Sequence, residues 1–262
     1  MPRQKSSTDS GGRGASVIEN AVAVLRCFSP DRQELGVTEI APKVGLHKSS
    51  VSRILASLER EGIVEQGQSR RYRLGLGIIA IAGPLLADLD VRRASYPILQ
   101  DLTAKTGETS ALMVWNGTES ITVEQIPSSH EVKHTSSLGS RYGTALSASV
   151  QVFLADEDPG RIREMIADGA ITASGQDDTG LDIDGYLSRL EQVAETGVAV
   201  NCGETSSAAV GIAAPVKDHR GVTVAAILIP APRFRVGDEA VERLSRICVD
   251  AARQVTKRLG GS

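Results

Sequence analysis

Cysteine is scarce and scattered in this chain. Cys27, Cys202 and Cys248 form no Cys-x-x-Cys pair, which argues against a zinc site and a disulfide framework. Each is most simply a small buried residue. No apolar run approaches the ~18 residues that cross a bilayer, and residues 1 to 16 lack the apolar core of an export signal. A cytoplasmic protein with no membrane partner is therefore expected. A Gly-rich phosphate cradle, a nucleophile elbow and internal repeats are also missing. No catalytic residue, metal ligand or cofactor is expected.

One motif challenges that exclusion. His130-Glu131-Val132-Lys133-His134 matches HExxH, in which two histidines one helical turn apart hold zinc and the glutamate acts as base. Here Pro127-Ser128-Ser129 precedes it and residues 132 to 138 read as a strand, where the two histidines would not share a helix face. No third ligand follows, so the segment reads as a solvated hairpin. Asn116-Gly117 reads as another hairpin tip, and Asp177-Asp178 with Asp182 and Asp184 as a solvated linker rather than a calcium loop.

What is present is asymmetric. Residues 1 to 75 carry 12 Lys and Arg against 8 Asp and Glu, while the rest carries 17 against 24. A basic module joined to an acidic one fits a nucleic-acid reader with a second domain that avoids DNA. Length also points to two domains, at 262 residues.

The organising stretch is 37 to 58, VTEIAPKVGLHKSSVSRILASL. Val37, Ile40, Ala41 and Val44, then Val51, Ile54, Leu55 and Leu58, recur at helical intervals on either side of Gly45-Leu46. Thr38 is placed to cap the first helix, Gly45 to end it in a left-handed conformation, and Lys48-Ser49-Ser50 to open the second. His47, Lys48, Ser49, Ser50, Ser52 and Arg53 fall on the solvent side. Short hydroxyls let a helix start approach a duplex closely, and an arginine reaches a guanine edge. Residues 61 to 65 and 72 to 74 then pair as a hairpin whose wing bears Arg70, Arg71 and Arg73. A winged helix-turn-helix that binds double-stranded DNA is expected.

In front of it, residues 1 to 15 read as a disordered tail. Val17, Ala21, Val24, Leu25 and Phe28 mark an amphipathic helix ending before Pro30. Behind it, residues 74 to 87 are apolar around most of a helix, as a linker and dimerisation helix would be. A further helix spans 91 to 106. From Ser110 the period becomes two, with strands at 110 to 115, 119 to 126 and 132 to 138. Helices near 147 to 155, 159 to 168 and 183 to 196 follow, then strands at 198 to 203, 210 to 217 and 222 to 230, and a helix from 238 to 259. This pattern predicts an antiparallel α+β domain.

Thr38-Glu39-Ile40-Ala41, the run from Gly45 through Leu55, Tyr72-Arg73-Leu74-Gly75, Thr106-Gly107-Glu108-Thr109, Phe153-Leu154-Ala155, Gly197-Val198-Ala199 and the run from Gly211 through Val216 together resemble the isocitrate lyase regulator (IclR) family of bacterial transcription factors. The resemblance covers nearly the whole chain. It implies a winged helix-turn-helix domain (16 to 75), a linker helix (76 to 90) and a GAF-like effector-binding domain (91 to 262), in a homodimer or a tetramer built from dimers. The function implied is a transcriptional regulator, expected to be a repressor, controlled by a small-molecule effector. Carried over by position, Ala148, Ser149, Asn201, Ala209, Gly211, Leu228 and Pro230 would line the effector pocket. Where members that bind small carboxylates have hydroxyls and an acid, this chain has Leu228, Pro230 and Asn201, implying a mainly apolar ligand with one polar end. The alternative from a different class is a GAF-like cysteine-dependent redox enzyme or thiol sensor using Cys202, which has no resolving cysteine beside it.

Overall fold

The helical periodicity of residues 37 to 58 becomes two helices turning about one left-handed glycine. The computed structural model describes residues 12–29, 31–88, 90–173 and 181–261, in two units, Met1–Asp88 and Leu89–Ser262. Residues 1–11 of the expected tail and Asp177-Asp178 lie outside the described residues.

In the first unit, α1 (Gly12–Leu25) begins earlier than the expected start near Val17, and it leaves Val17 exposed while Val24 is buried. Helix α2 (Val37–Val44) starts after Gly36, whose amide donates to Glu39 Oε2 at 2.8 Å. The cap is thus Gly36 with a glutamate reaching back, and Thr38, expected as the cap, sits inside the first turn. Gly45 closes α2 at φ 66°, a conformation that costs glycine little. Helix α3 (Lys48–Arg60) follows, and β1 (Val64–Gln66) pairs antiparallel with β2 (Tyr72–Leu74). Leu35 and Tyr72 exchange backbone hydrogen bonds of 2.9 and 2.8 Å. Ile40, Ala41, Val51 and Leu55 from the two helices meet Val24, Leu35, Val64 and Tyr72 in one core. Helix α4 (Gly77–Asp88) is anchored at its start, where Gly77 N donates to Gly62 O at 3.0 Å. A Cβ on Gly75 would lie 2.3 Å from that same oxygen, so only glycine permits the approach.

The second unit opens with α5 (Asp90–Thr106), β3 (Ser110–Trp115), β4 (Ser120–Ile126) and β5 (Arg141–Tyr142). Then come α6 (Ala148–Leu154), α7 (Pro159–Ala167) and α8 (Ile183–Thr196). Strands β6 (Ala199–Cys202), β7 (Ala209–Lys217) and β8 (Thr223–Pro232), a 3-10 turn at Arg233–Arg235, and α9 (Asp238–Arg258) complete it. The sheet order is β5-β4-β3-β8-β7-β6, antiparallel at every pairing. Period-two alternation sorts the side chains. Leu112, Ile212, Ala214, Ile227 and Ile229 pack under α5 and α9, and Ala111, Met113, Ala213, Ala226 and Leu228 pack under α6. Each fully buried isoleucine contributes roughly 1.5 to 3 kcal/mol.

The expected strand at 132 to 138 does not form. Its backbone groups are met by side chains instead: Gln125 Oε1 accepts from Ser136 N at 2.5 Å, and Arg235 Nη1 donates to Val132 O at 3.1 Å. The sheet edge is taken by β5, with Ser120 opposite Tyr142. Asn116-Gly117 does form the expected turn, Asn116 Oδ1 accepting from the amides of Thr118 and Glu119.

Arg235 also holds Glu108 with two hydrogen bonds, of 2.5 and 2.7 Å, and the Glu108 side chain is 5 % exposed. Removing the guanidinium would strand a buried carboxylate. Arg235→Ala is expected to lower unfolding free energy by about 3 kcal/mol, and Glu108→Gln in that background should recover part of the loss, both read by urea denaturation.

Candidate DNA-reading surface and effector pocket

On α3, Val51 and Leu55 are buried in the helical core, which turns Lys48, Ser49, Ser52 and Arg53 outward. His47 precedes the helix and is exposed, Ser50 is half-buried, and Thr38 on α2 is exposed. The expected set of short hydroxyls and cations therefore occupies one helix start and its outer face.

The wing arginines have partners that sequence could not show. Arg71 Nη2 donates to Glu39 Oε1 and to Glu34 O, both at 2.9 Å, so this arginine ties the wing to the start of α2. Arg73 is paired with Glu65 at 2.9 Å across the hairpin. Arg70 stands exposed at the wing tip with φ 58°, among the described residues the one non-glycine with a left-handed backbone. The Gly36 amide, followed by the Arg71 guanidinium, holds the Glu39 carboxyl below its usual range. A lowered folded-state pKa means the tie is complete above the ordinary glutamate range and is lost as pH falls through the lowered value.

In the second unit, one row crosses three strands: Asn201 on β6 faces Gly211 on β7, which faces Pro230 on β8. Leu228, two residues before Pro230, lies on the same face, opposite Ala213. Because these side chains are small or flat, and Ala148 begins α6 above them, a pocket of about 330 Å³ remains. Ala148, Asn201, Ala209, Gly211, Leu228 and Pro230 line it together. Ser149 does not: it is fully buried, its hydroxyl 3.2 Å from that of Ser147.

Asn201 is already occupied. Its Nδ2 donates to Leu146 O at 2.5 Å and its Oδ1 accepts from Glu204 N at 3.3 Å, so it braces the turns on either side of the pocket. The lining residues missed from sequence are mostly polar: His134, Thr135, Tyr142, Thr144, Ser147, Thr205 and Ser206, with Val210. They stand largely in irregular segments, where no periodicity marks a facing side. His134, read as part of a solvated hairpin, forms part of the pocket wall, with Nε2 3.1 Å from Ala208 O.

Residues 17–68 match the IclR helix-turn-helix domain, and residues 84–257 match the bacterial transcriptional regulator IclR C-terminal domain. The chain belongs to the IclR family. The regulator KipR of Bacillus subtilis is 28 % identical over 247 residues, 93 % of this chain and 96 % of KipR. The repressor AllR of Escherichia coli is 25 % identical over 249 residues, 95 % of this chain and 92 % of AllR. A crystallised domain of another IclR-family transcriptional regulator is 55 % identical with a TM-score of 0.62, covering 66 % of this chain and 98 % of that one.

This IclR-family chain is thus a DNA-binding transcriptional regulator with an effector-binding domain, not an enzyme. The redox alternative finds no support. Cys202 is exposed rather than buried as expected, and partial burial of its thiol raises its pKa, against a pull from Arg233, so the unreactive thiol form dominates at neutral pH. Cys248 is enclosed on the α5 and α9 face of the sheet, its pKa pushed up to about 12 by burial. Among the described residues no group of three or more His, Cys, Asp or Glu could hold a metal.

Arg70→Ala is expected to weaken binding to all DNA sequences alike and to reduce the salt slope by about 1, read by fluorescence anisotropy across a salt series. Arg71→Ala should instead lower the stability of the first unit at neutral pH. That deficit should shrink as acid protonates Glu39, as followed by circular dichroism melts from pH 7 downward.

Proposed function

We propose that this regulator is a repressor that binds an inverted-repeat operator as a homodimer, or as a tetramer built from two dimers, in the cytoplasm. A small ligand with an apolar body and one polar end, held in the pocket, shifts it away from the DNA-competent state. The observation carrying this reading is the outer face of α3, where Lys48, Ser49, Ser52 and Arg53 project from a helix anchored by Val51 and Leu55. His47, Ser50 and Thr38 complete the reading surface, with Arg70 on a phosphate and Arg71 and Arg73 holding the wing.

Assembly is argued from α4 and the residue before it. Leu76, Ile79, Ile81 and Leu85 are 60 to 74 % exposed, an apolar surface that water disfavours and a second copy would cover. The effector reading rests on Ala148, Ala209, Gly211, Leu228 and Pro230, which together give an apolar floor. Repression is carried over from the name of AllR.

A gel shift on DNA upstream of the protein's own gene should give a sequence-specific complex. Arg53→Ala should lose discrimination at one operator position by about 1 to 3 kcal/mol, and Ile79→Glu should convert a sedimenting dimer to monomer. A parent that sediments as a monomer at micromolar concentration, or an Arg53→Ala variant that reads the operator like the parent, would refute the corresponding part. Leu228→Ser should weaken an apolar ligand by about 1 to 3 kcal/mol, measured by calorimetry.

A further inference from the structure

We propose that the polar end of the ligand is an uncharged hydrogen-bond donor, a hydroxyl or N–H on an apolar body, accepted by the Tyr142 hydroxyl oxygen. This rests on the proposed role of the pocket as the effector site.

Three hydroxyls run in series from the pocket wall into the sheet. Tyr142 Oη lies 3.0 Å from Ser136 Oγ, which lies 2.7 Å from Thr122 Oγ1. Ser136 and Thr122 are buried, whereas Tyr142 is half-buried and lines the pocket. At the inner end sits Met113 Sδ, 3.5 Å from Thr122 Oγ1 and 3.9 Å from Ser136 Oγ. A thioether only accepts. If Thr122 donates to the sulfur, its oxygen takes the Ser136 proton, and Ser136 takes that of Tyr142. If Ser136 donates to the sulfur, Thr122 donates to Ser136, which has no proton left to give Tyr142. With the sulfur taking one of these two protons, on either arrangement the Tyr142 hydroxyl donates inward and offers the pocket its lone pairs.

The other fixed groups agree. Ala208 O can only accept, so His134 Nε2 spends its proton on that contact. Asn201 spends its amide on Leu146 and Glu204. The hydroxyls of Thr135, Thr144, Ser147, Thr205 and Ser206 rotate and can serve either role, so they do not set the polarity. Among the described residues no lysine, arginine, aspartate or glutamate lines the pocket, and a carboxylate entering it would be desolvated without a fixed counter-charge.

The test uses the full chain and three probes with one ring in common: 4-methylphenol, 4-methylanisole and 4-methylbenzoate, each titrated by calorimetry. The phenol should bind about 3- to 10-fold more tightly than the ether, with the benzoate weakest. Tyr142→Phe should bring the phenol-to-ether ratio close to one. Ser136→Ala, which frees the Tyr142 proton to point at the ligand, should lower the same ratio and keeps the question answerable if the tyrosine variant does not fold. Ether or benzoate binding as tightly as the phenol to the parent would overturn the donor assignment and leave the pocket's role intact. All three inert would overturn both. An unchanged ratio in both variants would overturn the part given to Tyr142.

Discussion

The antiparallel pairing of β7 with β8 is the constraint on which the effector-binding unit depends. Its register sets Gly211 against Pro230 and Ala213 against Leu228 on one face, and Ile212 against Ile229 on the other. The large aliphatic face takes α5 and α9 and excludes water, which supplies most of the unit's cohesion. The small face cannot fill the space beneath α6, and the pocket is what remains. A slip of one residue would exchange the faces, putting isoleucines into the pocket and alanines beneath the long helix. The core and the pocket are therefore two outcomes of the same alternation.

The first unit solves a different problem, that of presenting cations to DNA without losing a core. Only two side chains of α3, Val51 and Leu55, are fully enclosed, so most of its surface is free for reading. Precision comes from the surroundings: Gly45 sets the turn, Leu35 pairs with Tyr72 to join the wing to the helices, and Glu39 reaches both the Gly36 amide and Arg71. Glu39 thus caps a helix and anchors the wing with one carboxylate. Two of the wing's three arginines pair with glutamates of the same unit, and the left-handed tip residue faces solvent.

In the second unit, the segment between β4 and β5 shows how an irregular chain can still be specified. Without a ladder, Ser128 donates to Gly107 O, Ser136 meets Gln125, Thr122 and Tyr142, and Arg235 reaches Val132 O. Apart from the Ser136–Tyr142 contact, each of these bonds joins residues 11 or more apart in sequence. Together they carry His134 and Thr135 to the pocket wall and align the hydroxyl series that ends at Tyr142.

The sequence by itself determined the elements whose signal is local. Helical spacing in residues 37 to 58, left-handed Gly45, the Asn116-Gly117 turn and the period-two strands around Ser110, Gly211 and Leu228 are each written within a few residues, because side-chain direction in a regular element follows from position alone. The pocket floor was legible only through family resemblance, and Ser149, carried over with it, does not line the pocket. Tertiary structure alone decided the partners. Whether Arg71 meets solvent or Glu39, whether Asn201 faces a ligand or braces Leu146, and whether residues 132 to 138 form a strand or a strapped loop depend on groups brought close only when the chain has folded. Polar side chains in irregular segments have no period, and their energy is set by whichever donor or acceptor the fold delivers to them.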